Sequence, residues 1–279
     1  MAGEGLRGRS ELTQRVVSAV LMAVAALVSA YVGGIAFALV WVVLAGAVAY
    51  EWGGIVAADQ ARNLALAVTA LGVVMVVDGV IPGATPMVVT AAVAGLIAVL
   101  VLPAPGAPRG WLAVGFVYAA LLVWCTIAVR GTGWLGFVAI VYMFAVVWMT
   151  DIGAYFAGRT FGGPKFAPRI SPKKTWSGVV GGLLSGTLAS MLVLVALGQT
   201  ITGTNAFVSL CLGITVVYGD LFESFLKRRF GVKDAGSLIP GHGGFLDRLD
   251  GFAVAIVLAA LIGFARGGAG RIAEGLLQW

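Results

Sequence analysis

The chain has 279 residues, 60% of them hydrophobic and 11% charged, with 41 glycines and a mean hydropathy of +1.02. Those values exclude an ordinary soluble domain and place the chain among polytopic membrane proteins. The formal charge of +6 has no soluble basic face to carry it, so it does not point to a nucleic-acid partner and reads as a signal of membrane orientation.

Apolar runs fall near 16–32, 35–50, 64–80, 86–102, 111–129, 134–150, 177–197, 206–226 and 251–266. A helix needs about 20 residues to cross a hydrocarbon core, and a lipid interior offers backbone groups no water, so each run is expected to be a helix. No segment alternates with a strand period. The predicted fold is therefore all-α, a polytopic integral membrane protein of about nine transmembrane helices. The first run, behind MAGEGLRGRSELTQR, reads as a retained signal anchor rather than a cleaved peptide, because a second apolar run follows almost at once. Pro82, Pro86, Pro103, Pro105 and Pro108 punctuate the gaps between runs. Cys125 and Cys211 lie inside separate apolar runs and read as packing residues rather than a disulfide.

Residues 1–130 are expected to form a five-helix scaffold and a candidate homodimer surface, with Asp78 the one ionisable residue well inside a run. Followed by Gly79, Asp78 reads as a capping or turn residue. Residues 131–279 are expected to form the catalytic region, with polar loops at 151–176 and 227–248. With a cytoplasmic N-terminus, fifteen of the 18 Lys and Arg residues fall on the cytoplasmic side, leaving Arg130, Arg266 and Arg271 outside. The expected orientation therefore puts both loops in the cytoplasm, on a cell (inner) membrane.

The eighth run ends VVYGDLFESFLKRRFGVKD, in which Asp220, Glu223, Ser224 and Lys227 recur at i, i+3, i+4 and i+7 and share one helix face. Such a stripe serves either as a metal and phosphate site or as an internally salt-bridged helix exit with snorkelling Lys227 and Arg228. Glu223 is the member of that stripe most easily read as structural. Beyond it, Gly241, Gly243 and Gly244 surround His242, an arrangement that lets backbone N–H groups approach an anion. Asp247, Arg248 and Asp250 open the ninth run, where they read as helix caps or, facing Asp220, as part of an oxygen-rich cage of the kind Mg²⁺ prefers. The 151–176 segment carries Arg159, Lys165, Arg169, Lys173 and Lys174 among glycines, which suits a ligand with several phosphates or an acidic lipid surface.

Over residues 224–250, the runs S-F-L-K-R, K-D and P-G-H-G-G-F-L-D-R-L-D resemble the signature of the phosphatidate cytidylyltransferases, also called CDP-diacylglycerol synthases. D-x-G-A-Y-x-x-G-R-x-F-G from Asp151 and S-P-K-K-T-W from Ser171 are similar to that family's other cytoplasmic block. One position departs from the pattern, because Ser177 stands where the family usually carries an acid, and Ser177 is left out of the expected site. The resemblance implies a nucleotidyltransferase that condenses CTP with phosphatidic acid to give CDP-diacylglycerol and pyrophosphate. Readings set beside it are a CTP-dependent enzyme with an isoprenoid lipid acceptor and, from another class, a membrane transporter.

On that footing Asp220, Asp247 and Asp250 are expected to hold Mg²⁺, with room for a second cation. Lys227 and His242 join them as catalytic groups. Ser171, Lys173, Lys174, Ser224, Arg228, Lys233, Asp234, Gly243, Gly244 and Arg248 are expected to contact substrate.

Overall fold

The computed structural model of the chain describes residues 2–80, 85–236, 238–239 and 243–279, with side chains from residue 17 onward. Its helices are α1 (Ala2–Val32), α2 (Gly34–Val56), α3 (Ala61–Asp78), α4 (Thr85–Val101), α5 (Arg109–Arg130), α6 (Trp134–Phe161), α7 (Trp176–Ala196), α8 (Gly203–Arg229), α9 (Leu246–Gly267) and the short α10 (Ile272–Leu277). Each of the nine expected apolar runs falls on one of α1 to α9. Among the described residues seven helices are long and apolar enough to cross a membrane, and Val17–Val32 and Thr85–Val101 are shorter apolar helices. The molecule is thus an all-α polytopic membrane protein.

Two differences from the expected boundaries matter for the site. Helix α6 does not stop at residue 150 but continues to Phe161, because nothing breaks it before Gly162 and Gly163, whose φ values of 59° and 100° are open to glycine alone at low cost. Asp151 is therefore a helical residue rather than the start of a loop. Between α6 and α7 a small antiparallel hairpin also forms, β1 (Lys165–Ala167) on β2 (Ser171–Thr175). Thr175 ends that hairpin and caps α7, its side chain accepting from the Gly178 amide at 3.2 Å.

Hydrophobicity alone does not pull helices together in lipid, so close backbone packing must do much of the work. Gly178, Gly182 and Gly186 recur every fourth residue on α7 and are all buried. A Cβ at Gly182 would stand 2.6 Å from the Thr150 carbonyl oxygen, and one at Gly186 would stand 2.3 Å from Thr150 Oγ1. The stripe therefore seats α7 directly on the backbone of α6. Helices α8 and α9 cross in the same way. A Cβ at Gly219 would lie 2.5 Å from the Asp250 carbonyl oxygen, and one at Gly251 would lie 2.8 Å from Val216 Cγ1.

Aromatic side chains fill the spaces that these crossings leave. Trp41 stacks on Phe252 at 4.9 Å between ring centres, Phe252 in turn meets Phe144 at 5.6 Å, and Trp52 lies 5.3 Å from Tyr118 and 5.9 Å from Phe222. These contacts tie α2 and α5 of the N-terminal half to α8 and α9. At one end of the bundle the exit of α2, the start of α5, the exit of α8 and the start of α9 converge: Trp52 Nε1 donates to the Trp111 carbonyl at 2.8 Å, and Trp111 packs on Phe225 and Phe230. At the other end Arg130 is buried and caps the exit of α1, its Nε donating to the Ala30 carbonyl at 2.6 Å.

The apolar run expected at 35–50 stops one residue short of Glu51. That acid lies inside α2 and is 3% exposed. Asp78 is the last residue of α3 and accepts from Thr85 Oγ1 at 3.2 Å, in keeping with a turn role.

Candidate functional site

Helices α8 and α9 run antiparallel from their crossing at Gly219 and Gly251, so residues further along α8 face residues earlier in α9. Asp220 and Glu223 therefore come level with Asp250, and Lys227 comes level with Asp247. Asp220, Glu223 and Asp250 each offer a carboxylate oxygen within 4.8 Å of the others. Glu223, buried to 3% exposure, is part of this trio although the stripe reading made it the most expendable member. The trio lies about two helical turns before the end of α8, where three uncompensated carboxylates would be costly and need cations.

Two lysines supply positive charge from opposite sides. Lys227 Nζ sits 2.6 Å from Glu223 Oε1 and 2.8 Å from Asp247 Oδ1. Lys174, delivered by β2, places its Nζ 2.5 Å from Asp220 Oδ2. The hairpin between α6 and α7 thus reaches the acids on α8, which joins the two polar blocks of the sequence in space. Asp151 on α6 is within electrostatic reach of Asp220, Lys174 and Arg248. It is a fourth acid at this centre that the expected site omitted, although its place at the head of the D-x-G-A-Y block was a signal.

Asp247, expected as a principal partner of Asp220, is not in the converging trio. Its carboxylate receives the Lys227 ammonium, the Gly244 amide at 3.0 Å and the Ala235 amide at 3.2 Å. It fastens the loop before α9 and orients Lys227. The Gly244 amide is therefore already taken in this state, rather than aimed outward at an anion. Gly243 has a φ of 83° and accepts from the Ile239 amide at 2.9 Å, so its backbone conformation accounts for a glycine there. Gly244 has a different reason, since a Cβ would stand 2.5 Å from Glu51 Oε2.

The remaining expected residues differ in burial. Ser224 and Ser171 are half-buried, Ser224 on the α8 face below Asp220 and Ser171 at the start of β2. Lys173, Arg228, Lys233, Asp234 and Arg248 are exposed. His242 lies outside the described residues. Ser177, the departure from the family pattern, donates from Oγ to the Gly162 carbonyl and lies 3.1 Å from Thr175 Oγ1, tying the end of α6 to the start of α7.

The donor chemistry of the trio fits a hard divalent cation. Oxygen-only ligands, several of them charged, at the mouth of a helix pair are what Mg²⁺ accepts while keeping waters or substrate phosphates in its other positions. Lys174 and Lys227 beside these acids also match substrates that carry phosphates.

Comparison with known proteins gives the same direction. A family model described as cytidylyltransferase family matches residues 13–265. The phosphatidate cytidylyltransferase of Brucella suis biovar 1 is 39% identical over 254 residues, covering 91% of this chain and 94% of the relative. The protein of the same name from Haemophilus influenzae is 43% identical over 126 residues, covering 43% of this chain and 44% of that relative. Another from Mycobacterium leprae is 45% identical over 117 residues, covering 42% of this chain and 37% of the relative.

Proposed function

Because the chain belongs to the cytidylyltransferase family, we propose that it condenses CTP with phosphatidic acid, forming CDP-diacylglycerol and releasing pyrophosphate. The observation that carries this reading is the convergence of Asp220, Glu223 and Asp250 beside Lys174 and Lys227. The site lies at the end of a membrane bundle, where a diacyl lipid's head group meets a water-soluble nucleotide. In the proposed orientation that end faces the cytoplasm across the inner membrane, as the distribution of Lys and Arg favours.

The reaction joins two anions. An oxygen of the lipid phosphate bonds to the α-phosphorus of CTP, the bond from that phosphorus to the bridging oxygen breaks, and the electron pair leaves with pyrophosphate. Like charges about 4 Å apart repel by roughly 4 kcal/mol per pair at an effective dielectric near 20, so neutralisation is the main task of the site. A divalent cation such as Mg²⁺, held by Asp220, Glu223 and Asp250, supplies charge neutralisation for the phosphates when bound. Lys174 and Lys173 on β2 take the nucleotide phosphates from one side, with Ser171 at the foot of the strand. Lys227, held between Glu223 and Asp247, presents its ammonium to the transferring group. Ser224, Arg228, Lys233, Asp234 and Arg248 are assigned to lipid and pyrophosphate, and His242, with Gly243 and Gly244 beside it, is assigned to orienting the transferring group. Positioning and electrostatics account for the acceleration, and no covalent nucleophile is required.

The test is turnover by the purified protein in lipid nanodiscs with CTP, phosphatidate and Mg²⁺. Asp220→Asn and Asp250→Asn should each lower kcat by at least about a hundredfold, equivalent to ~3 kcal/mol of transition-state stabilisation, while membrane insertion stays normal. Near wild-type turnover by either variant would remove that residue from the centre.

A further inference from the structure

Glu51 belongs to α2, 195 residues before its hydrogen-bond partner, and no motif marks it. Its Oε2 accepts from the Leu246 amide at 2.8 Å. Leu246 is the first residue of α9, and its N–H is one of the four amides that a helix start leaves without an internal acceptor. A carboxylate there also meets the positive end of the helix dipole. The same carboxylate group holds two loop glycines. A Cβ at Gly244 would stand 2.5 Å from Glu51 Oε2, and a Cβ at Gly236 would stand 2.6 Å from Oε1 and 2.9 Å from Cδ and Cγ. The three nearest atoms at each glycine all belong to Glu51, so Gly236 and Gly244 both pack onto this one side chain.

The mounting of Glu51 is firm. The next residue, Trp52, is 1% exposed, donates to the Trp111 carbonyl and packs on Tyr118 and Phe222. Glu51 is therefore a fixed post rather than a mobile acid. One residue beyond Leu246 is Asp247, which takes the Gly244 and Ala235 amides and Lys227. One helical turn beyond Leu246 is Asp250, whose main-chain carbonyl accepts from Tyr118 of α5 at 3.2 Å.

We infer that Glu51 is a positioning residue of the transfer reaction. It sets where α9 begins and seats Gly236 and Gly244, so that Asp250 meets Asp220 and Glu223 while Asp247 meets Lys227. The inference rests on the proposed role of the Asp220, Glu223 and Asp250 centre. It also makes the N-terminal helices part of the catalytic apparatus, because the post stands on α2.

The experiment compares wild type, Glu51→Ala, Glu51→Gln, Gly236→Ala and the Glu51→Ala/Gly236→Ala double variant. Two readouts are taken: amide hydrogen exchange of the full-length protein without substrate or metal, and steady-state kcat and KM. Glu51→Ala should speed exchange across 235–250 about tenfold or more while leaving α6 and α7 unchanged. Its kcat should fall about tenfold or more with KM for CTP within threefold, because alignment is lost rather than binding. Glu51→Gln keeps an acceptor for Leu246 and should stay within about threefold of wild type in both readouts. Gly236→Ala presses first on Glu51, whose atoms are the three nearest to the new Cβ, so it should lower kcat by about tenfold in wild type and by less than about twofold when Glu51 is already alanine. Unchanged exchange or unchanged kcat in Glu51→Ala overturns the inference, as does an equal cost of Gly236→Ala in both backgrounds. Should Glu51→Ala fail to fold, Gly236→Ala alone decides, and wild-type kcat and exchange in it overturn the inference. Asp250→Asn run alongside separates the two layers: its retaining turnover would fail the proposed centre, whereas its loss beside an unaffected Glu51→Ala would fail Glu51 alone.

Discussion

Replacing Lys227 by methionine is the most informative single change at the centre. The ammonium lies 2.6 Å from Glu223 Oε1 and 2.8 Å from Asp247 Oδ1, and the three side chains are only 17%, 4% and 15% exposed. At an effective dielectric near 20 each contact is worth roughly 6 kcal/mol of gross attraction, most of it offset by the desolvation of the charges. Methionine fills the same volume but leaves Glu223 and Asp247 with no cation between them, a situation that costs about 3–5 kcal/mol when a buried ion pair loses one partner. The expected result is an unfolding midpoint well below wild type in detergent and a kcat reduced by about two to three orders of magnitude in nanodiscs. Adding Glu223→Gln to Lys227→Met should recover part of the stability, because one of the two stranded charges is gone, yet recover none of the activity. A Lys227→Met protein with both the midpoint and kcat close to wild type would refute the claim that this lysine holds the acids in balance.

Other expectations follow from the same geometry. Gly219→Ala drives a Cβ into the Asp250 carbonyl oxygen and the Gly251 Cα, which are backbone atoms that cannot swing aside. It should separate α8 from α9, lowering stability by about 1–3 kcal/mol and kcat by tenfold or more, measured as an unfolding midpoint and turnover. Gly54→Ala meets nothing within 4 Å and should leave both unchanged. Lys174→Met removes a pair whose side chains are 21% and 34% exposed, so stability should change by no more than about 1 kcal/mol. Its KM for CTP should rise about tenfold with a smaller change in kcat, since the lysine is proposed to hold nucleotide rather than to build the fold.

Much of this molecule is written in local chemistry. Apolar runs bounded by proline and glycine disclose α1 to α9, because a helix in lipid must satisfy its own backbone. The Asp220, Glu223 and Lys227 stripe was readable because a helical period is fixed, and the resemblance over 224–250 pointed to the same face. What could not be read is which residues of one helix come level with those of another. Asp247 and Asp250 are equivalent in sequence, and only the depth of the α8 and α9 crossing, set by Gly219 against the Asp250 carbonyl, sends one to Lys227 and the other to the acid trio. Glu51 was hidden for the same reason: its partner is 195 residues away, and an acid at the end of an apolar run looks like a helix boundary. The α6 extension to Phe161 is not legible from polarity, because Asp151 opens a polar segment, whereas its helix is stopped only by the positive-φ glycines at 162 and 163.

The central claim is that the acidic centre between α8 and α9 serves transfer of a cytidylyl group to a lipid phosphate. The direct measurement is the fate of label from CTP incubated with the purified protein, phosphatidate and Mg²⁺, comparing CTP labelled at the α-phosphorus with CTP labelled at the γ-phosphorus. The expected result is α-label in the lipid product in step with pyrophosphate release, and neither when Asp250 is asparagine. γ-Label in the lipid with CDP left behind, or no turnover of CTP at all, would contradict it.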